Sequence, residues 1–304
     1  MHYSKIAPKA VTVRVLLVAA VAVVALAAAG SSGASRIGPC GRGAPPTRWK
    51  HVLWIWMENE SYQSIIGSPS APYITGLADA CGLATNYHAV SHPSLPNYLA
   101  ATSGDVWGVA DDAPPSAHPI AHASIFSQVA AAGMRWRSYE ESMPVNCDLS
   151  SSGEYAVKHN PAAYYTGIRA DCRKWDVPFT DLARELRRNA LPSFSFVTPN
   201  LCDDMHDCSV ASGDSWLRHW MPAILGSRAY RSGSAVIVIT FDEGTGSTNQ
   251  VATVVVAPST IPGTTSSLPF DHYSLLKTTE QLLGIHTYLG HARRALTMRG
   301  PFHL

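Results

Sequence analysis

One segment, Ala235–Phe241, constrains the fold more than any other part of this chain. It reads AVIVITF, with β-branched or aromatic residues at every position but the first. A strand with no polar face is buried on both sides, as in a parallel sheet covered by helices. Two acids, Asp242 and Glu243, follow it directly. His51–Met57 is also largely apolar and runs straight into Glu58-Asn59. Phe194–Thr198 is strand-like and is closely followed by Asn200 to Asp207. In open α/β sheets, sites form at the carboxyl ends of strands. Three such strands ending in acids or amides would converge on one rim.

The remaining pattern alternates helix and strand. Ile125–Ala132 reads as a helix and Met134–Tyr139 as a strand. Phe179, Leu182 and Leu186 give Phe179–Arg188 a helical spacing, and Trp216–Leu225 reads as helix. Val251–Ala257 is another strand. Leu275, Leu276, Thr279, Leu282 and Leu283 mark an amphipathic helix that Gly284 ends. The expected architecture is an α/β three-layer sandwich on a largely parallel central sheet, without repeats and with one catalytic domain over residues 48–304.

The first 29 residues read as a secretory signal. Lys5, Lys9 and Arg14 precede the apolar run Val15–Ala29, and Ala27, Ala28 and Ala29 stand before Gly30. The run is 15 residues long, short of the ~20 that span a bilayer, so no stable membrane anchor is expected after cleavage and the protein is expected to be secreted. Residues 30–47, rich in Gly, Ser and Pro, read as a linker. Removing residues 1–29 takes three of the 23 Lys/Arg and none of the 22 acids, leaving a net charge of −2. That balance offers nothing to a nucleic-acid partner or an anionic membrane. All six cysteines lie in the exported part, and an even count there reads as three disulfides. Fifteen pairings fit, and order along the chain suggests 40–81, 147–172 and 202–208. A zinc cluster is the rival reading, but the chain contains no C-x-x-C.

The stretch Ser91-His92-Pro93-Ser94-Leu95-Pro96-Asn97-Tyr98 puts a hydroxyl before a helix start. Pro96 suits a first turn, where its missing N–H has no partner to lose. Ser94 then falls at or near the N-cap of a helix running to about Thr102. Helix N-termini attract phosphate and sulfate, so Ser94 is a candidate nucleophile as well as a cap. Glu58, Asn59, Asp242 and Glu243 form an oxygen-only donor set, which suits hard cations such as Ca²⁺, Mg²⁺ or Mn²⁺. Of the 13 histidines, His206, His272 and His159 are singled out as site candidates by their neighbours, as in Asp204-Met205-His206-Asp207 and Asp271-His272-Tyr273. His206 or His272 is expected to protonate a leaving group or to position phosphate.

Taken together, Trp54-Ile55-Trp56-Met57-Glu58-Asn59, His92 to Tyr98, Pro199-Asn200 with Asp204 to Asp207, and Thr240-Phe241-Asp242-Glu243 resemble the phosphoesterase family of bacterial acid phosphatases and phospholipases C. Tyr139 to Pro144 and Lys158-His159-Asn160-Pro161 carry the same resemblance. The family is similar to the alkaline phosphatase superfamily, which implies an alkaline-phosphatase-like fold over about Lys50–Gly284. The resemblance implies a phosphoric ester hydrolase with Ser94 as nucleophile and a phosphoseryl intermediate. It implies metal ligands at Glu58, Asn59, Asp242 and Glu243, completed by Ser94. Ser94-Leu95-Pro96-Asn97 is also similar to the nucleophile turn of nucleotide pyrophosphatases, which implies that Asn97 contacts a phosphate oxygen. Two-zinc enzymes of that wider group have Asp-His where this chain has Asp242-Glu243, so one oxygen-bound divalent cation is expected. The substrate would be a phosphate ester of a small molecule or a phospholipid headgroup. A phospholipase C-type diesterase is the second enzyme reading, and an inactive extracellular binding protein on the same fold is the reading from another class. The sulfatase patterns C-x-P-x-R and S-x-P-x-R are ruled out, because residue 98 is Tyr.

Overall fold

The computed structural model describes residues 1–4, 7 and 38–304. The expected signal run Val15–Ala29 and residues 30–37 of the expected linker lie outside the described residues. In chain order the elements are β1 (His51–Met57), α1 (Tyr62–Ile65), α2 (Pro72–Ala80), β2 (Gly82–Ala84), β3 (Tyr87–His88) and α3 (Ser94–Ser103). Then come α4 (Ile125–Ala131), β4 (Trp136–Glu140), α5 (Arg169–Trp175), β5 (Asp176–Pro178), α6 (Thr180–Arg188) and β6 (Phe194–Thr198). The chain finishes with α7 (Val210–Gly226), α8 (Arg228–Arg231), β7 (Ala235–Phe241), β8 (Thr253–Val256), β9 (Thr264–Ser266), β10 (Phe270–Asp271) and α9 (His272–Leu282).

Eight strands form one sheet in the order β5-β4-β6-β1-β7-β8-β2-β9. The five strands from β5 to β7 run parallel. β1 pairs with β7 over its whole length, from His51 opposite Ala235 to Met57 opposite Phe241. Every residue of β6 and β7 is buried, as their unbroken apolar runs require of central strands. Helices α3, α4 and α9 pack together on one face, and α2, α6, α7 and α8 form the opposite layer. The three-layer α/β sandwich inferred from the sequence is therefore the fold. β8 departs from the parallel pattern and runs antiparallel to both β7 and β2. The link from β7 to β8 is residues 242–252, too short for a helical crossover, so the chain turns back on itself.

Trp54 and Trp56 anchor the α3/α9 face. The Trp54 indole donates to Thr279 Oγ1 at 3.0 Å, and Trp56 packs on Tyr98 and His272 with ring centroids 5.0 and 4.9 Å away. α7 starts at Val210, earlier than expected, because Ser209 accepts the Ser212 N–H and caps it. The disulfides are Cys40–Cys81, Cys147–Cys172 and Cys202–Cys208. The first, with Gly41 N–H to Thr260 O and Arg42 N–H to Pro258 O, pins residues 40–42 of the expected linker to the catalytic domain. Among the described residues, no helix is long and apolar enough to cross a membrane.

Candidate active site

Because β1, β6 and β7 are parallel and in register, their carboxyl ends bring Glu58, Asp204 and Asp242 to one rim. Glu58 N–H donates to Asp204 O at 2.8 Å, and Asp242 N–H donates to Met57 O at 3.0 Å. Asn59 takes a left-handed conformation, φ 55°, which turns its N–H onto Asp242 Oδ1 at 3.0 Å. Asn tolerates that region better than most residues. The end of β1 is thereby tied to the end of β7 through a carboxylate.

Ser94 comes to the same rim from α3. It occupies the first helical position, not the N-cap, which is Pro93. Its hydroxyl is consequently not consumed by capping; it donates to Glu58 Oε2 at 3.1 Å. The first-turn N–H of Leu95 is satisfied from elsewhere, by Asp112 Oδ1 at 2.9 Å. One turn later, the Tyr98 hydroxyl donates to Glu58 Oε1. Glu58 is fully buried, and its third partner is His159, whose Nε2 lies 3.2 Å from Oε2. The other ring nitrogen of His159 faces Asp204 Oδ2 at 3.2 Å.

The electrostatics follow from this packing. Burial works against a charge on His159, but Glu58 and Asp204 on either side overcome it and push its pKa up to about 10. His159 is therefore an imidazolium held between two carboxylates. Glu58 is likewise opposed by burial, and His159 and Tyr98 hold it below the usual carboxylate range. Asp242 goes the other way: burial, then Glu58 and Glu243, raise its pKa well above the ordinary value. Its Oδ2 is buried without a hydrogen-bond partner. A buried carboxylate oxygen of this kind is costly unless protonated, paired or bound to a cation. In its donor chemistry, that unpartnered oxygen beside the buried Glu58 carboxylate fits a hard divalent cation. Among the described residues, the grouping at the rim whose ligand atoms lie within 4.8 Å of one another is Glu58, His159 and His206, without Asp242 or Glu243.

The remaining expected site residues fall into distinct places. His206 is half-buried at the rim, with Nδ1 2.6 Å from Asp207 Oδ1 and Nε2 3.2 Å from Lys158 Nζ. His272 lies behind the rim, fully buried, and burial pushes its pKa down to about 4. The neutral ring donates from Nε2 to Asp242 O at 2.7 Å and accepts the Tyr87 hydroxyl at Nδ1, 3.1 Å away. Both nitrogens are thus engaged, so His272 braces Asp242 and has no proton to give a leaving group. Asn97 spends its whole amide on the loop before α3. Oδ1 accepts from Val90 N–H and Ser91 N–H, both at 3.0 Å, and Nδ2 donates to Ser91 O and Pro93 O. Glu243 is drawn toward the surface by His92, Nδ1 to Oε2 2.6 Å. Four residues not selected from the sequence share the site: Tyr98, Lys158, Asp112 and His92. Tyr98 was detectable, since it lies four residues after Ser94 on one helix face. Lys158 and His92 stand in segments that carry the family resemblance but were given no role there, and Asp112 lies in an irregular segment where no periodicity marks it.

The model of the Phosphoesterase family matches residues 68–286. The chain belongs to the phosphoesterase family. It is a hydrolase of phosphoric esters. Among curated relatives, "Phosphatidylinositol-3-phosphatase" of Mycobacterium tuberculosis is 34% identical over 80% of this chain and 79% of its own length. "Phosphate-repressible acid phosphatase" of Penicillium chrysogenum is 30% identical over 73% of this chain, which spans 56% of that longer protein. Among solved structures, a protein of the alkaline phosphatase superfamily from Vibrio parahaemolyticus superposes with TM-score 0.56 at 12% identity, over 83% of this chain and 71% of that one. At that identity the likeness concerns the fold.

Proposed function

We propose that this phosphoesterase is a secreted, cation-dependent phosphomonoesterase in which Ser94 attacks phosphorus. The observation that carries the proposal is the Ser94 hydroxyl, free of any capping duty and 3.1 Å from the buried Glu58 carboxylate. The names of the relatives, phosphatases in both cases, favour monoesters over diesters. Glu58, Asn59, Asp242 and Glu243, with Ser94, would hold a divalent cation of the Ca²⁺, Mg²⁺ or Mn²⁺ type. When bound, such a cation lowers the hydroxyl pKa and offsets the charge on the phosphate oxygens.

The residues then divide the work. Ser94 Oγ donates to Glu58, so its lone pairs are open to phosphorus. As the new P–O bond forms, the hydroxyl proton passes to water and the bond to the substrate alcohol breaks, while Glu58 orients the Ser94 oxygen. Lys158, held by Asp112 Oδ2 and by His206 Nε2, which accepts from it, offsets the charge that develops on the departing oxygen, and that oxygen takes its proton from water. Water then attacks the phosphoserine, releases phosphate and restores Ser94. His159 offsets the charge of Glu58 and Asp204, while Asn97 and His272 act as positioning residues. The test is to quench the protein during turnover of p-nitrophenyl phosphate and map bound phosphate by peptide analysis. Phosphate on Ser94, and a Ser94→Ala protein that folds but turns over at least about 10³-fold more slowly, are the expected results. Near-normal turnover by folded Ser94→Ala protein removes the proposal.

A further inference from the structure

Beside the rim lies a cavity of about 550 Å³. Lys158, His206, Asp207 and Asp112 form the charged part of its lining. Lys158 Nζ joins two of the others, 3.1 Å from Asp112 Oδ2 and 3.2 Å from His206 Nε2. Asp112 also accepts the N–H of Leu95, the residue after Ser94. Asp112 thus links the cavity wall to the first turn of α3, next to the nucleophile. Beyond its charged part the wall is mostly apolar: Pro114, Tyr155, Ala156, Val157 and Leu201.

This wall is built of tied segments. Leu201 N–H donates to Glu154 O at 3.0 Å and joins the two sides. Val157 N–H donates to Ser151 Oγ at 3.0 Å, and the Tyr155 hydroxyl donates to Asp148 O at 2.8 Å. Two of the disulfides, Cys147–Cys172 and Cys202–Cys208, hold the adjoining chain. Cavities of ~300–1,000 Å³ with mainly apolar walls and a few convergent polar groups hold organic bodies of drug size. A phosphoryl group alone would leave such a wall without a partner.

We propose that this cavity is the leaving-group subsite, and that it takes the compact, largely apolar body of an aryl-type alcohol. The ester oxygen then sits at the Lys158 and His206 end, and the ring lies along Ala156, Val157 and Leu201. The assignment rests on Ser94 being the attacking nucleophile. It also explains why the two cysteine loops flank one opening: they fix the subsite that selects the alcohol.

The test compares kcat/KM for 1-naphthyl phosphate, dihexanoyl phosphatidic acid and glycerol 2-phosphate, with one divalent cation throughout. The wild-type protein should favour the naphthyl ester over the glycerol ester at least tenfold, mainly through KM. Ala156→Trp fills the cavity and should lower kcat/KM for the naphthyl ester at least tenfold, while the glycerol ester stays within twofold. Pro114→Trp adds bulk at the exposed rim, leaves the core untouched, and should shift the same ratio in the same direction. It serves where Ala156→Trp does not fold. Equal losses on both esters, or no loss on either, overturn the subsite. A wild-type preference for phosphatidic acid over the naphthyl ester overturns the compact aryl assignment in favour of a lipid body. A wild-type protein inert toward all three esters overturns the monoesterase reading on which the subsite rests, whereas phosphate trapped on Ser94 without the expected ester ratios overturns the subsite alone.

Discussion

Replacing both Cys202 and Cys208 by Ser should damage catalysis more than stability, the reverse of what loss of the Cys40–Cys81 bridge should do. Cys202 and Cys208 are six positions apart and close a small ring, whereas Cys40 and Cys81 are 41 apart. By the chain-entropy estimate the small ring contributes about 2.4 kcal/mol and the large one about 3.9 kcal/mol. For a domain of this size, 2.4 kcal/mol corresponds to a fall in Tm of about 4 to 5 °C, and 3.9 kcal/mol to about 7 °C. The small ring, however, encloses Asp204 and His206. Asp204 accepts the His206 N–H on Oδ1 at 2.8 Å, faces His159 Nδ1 with Oδ2 at 3.2 Å, and receives the Glu58 N–H on its carbonyl at 2.8 Å. Three groups of the site therefore take their position from one residue inside the ring. A displacement of about 1 Å at such a point can cost on the order of 10²-fold in rate.

The local hydrogen bonds moderate that figure. Asn200 Oδ1 accepts from Cys202 N–H and Asp203 N–H, both at 3.0 Å, so part of the loop keeps its shape without the bridge. The expected loss in kcat/KM for Cys202→Ser/Cys208→Ser is therefore about 10- to 100-fold, or roughly 1.4–2.7 kcal/mol. Cys40→Ser/Cys81→Ser should stay within twofold of wild type at 25 °C while melting lower. Scanning calorimetry and p-nitrophenyl phosphate kinetics on the two proteins make the comparison. The reasoning fails if the two rankings run together, with the larger ring costing more in both Tm and activity, or if the small-ring variant keeps full activity.

Chelation should abolish activity, and Asp242→Asn should prevent recovery on adding cation; because burial and Glu58 already disfavour a charge on Asp242 in the cation-free protein, an uncharged amide of the same shape should leave the Tm of the chelated protein unchanged, and a fall of more than a few degrees in calorimetry would contradict the charge argument. Asn97→Ala leaves the four backbone partners of its amide unpaired, at about 1–3 kcal/mol for each that stays buried, so Tm and kcat should drop together, whereas a drop in kcat at unchanged Tm would assign Asn97 to phosphate contact. Burial raises the Glu280 pKa from 4.5 to about 7. The native state therefore binds that proton more tightly than the unfolded chain, and this contribution is full below about pH 4.5 and lost as pH rises through 7. Glu280→Gln should flatten the corresponding decline of Tm between pH 4.5 and 7, and an unchanged slope would refute the assignment.

How much was legible in the sequence depended on what fixes each piece. β1, β6 and β7 are fixed by their own composition, because a strand covered on both faces has to be apolar throughout. β2 and β9 have three residues each and exist because β8 and β2 offer them hydrogen bonds, which no local pattern announces. The same division runs through the site. The acids are legible because they follow the apolar strands directly, while His159 lies on a short turn over Val157–His159 and owes its charge to two carboxylates brought from distant strands. Ser94 shows how one position changes the chemistry. At the N-cap its oxygen would accept an N–H of its own first turn, and that oxygen would be held away from a substrate. At the first helical position Ser94 and Tyr98 lie one turn apart on the same face, and both hydroxyls reach the two oxygens of Glu58. The Asn97 brace, through Nδ2 to Ser91 O and Pro93 O, sets where α3 begins. The helix start, and with it the freedom of the Ser94 hydroxyl, is thus decided by the loop before Ser94 rather than by Ser94 itself.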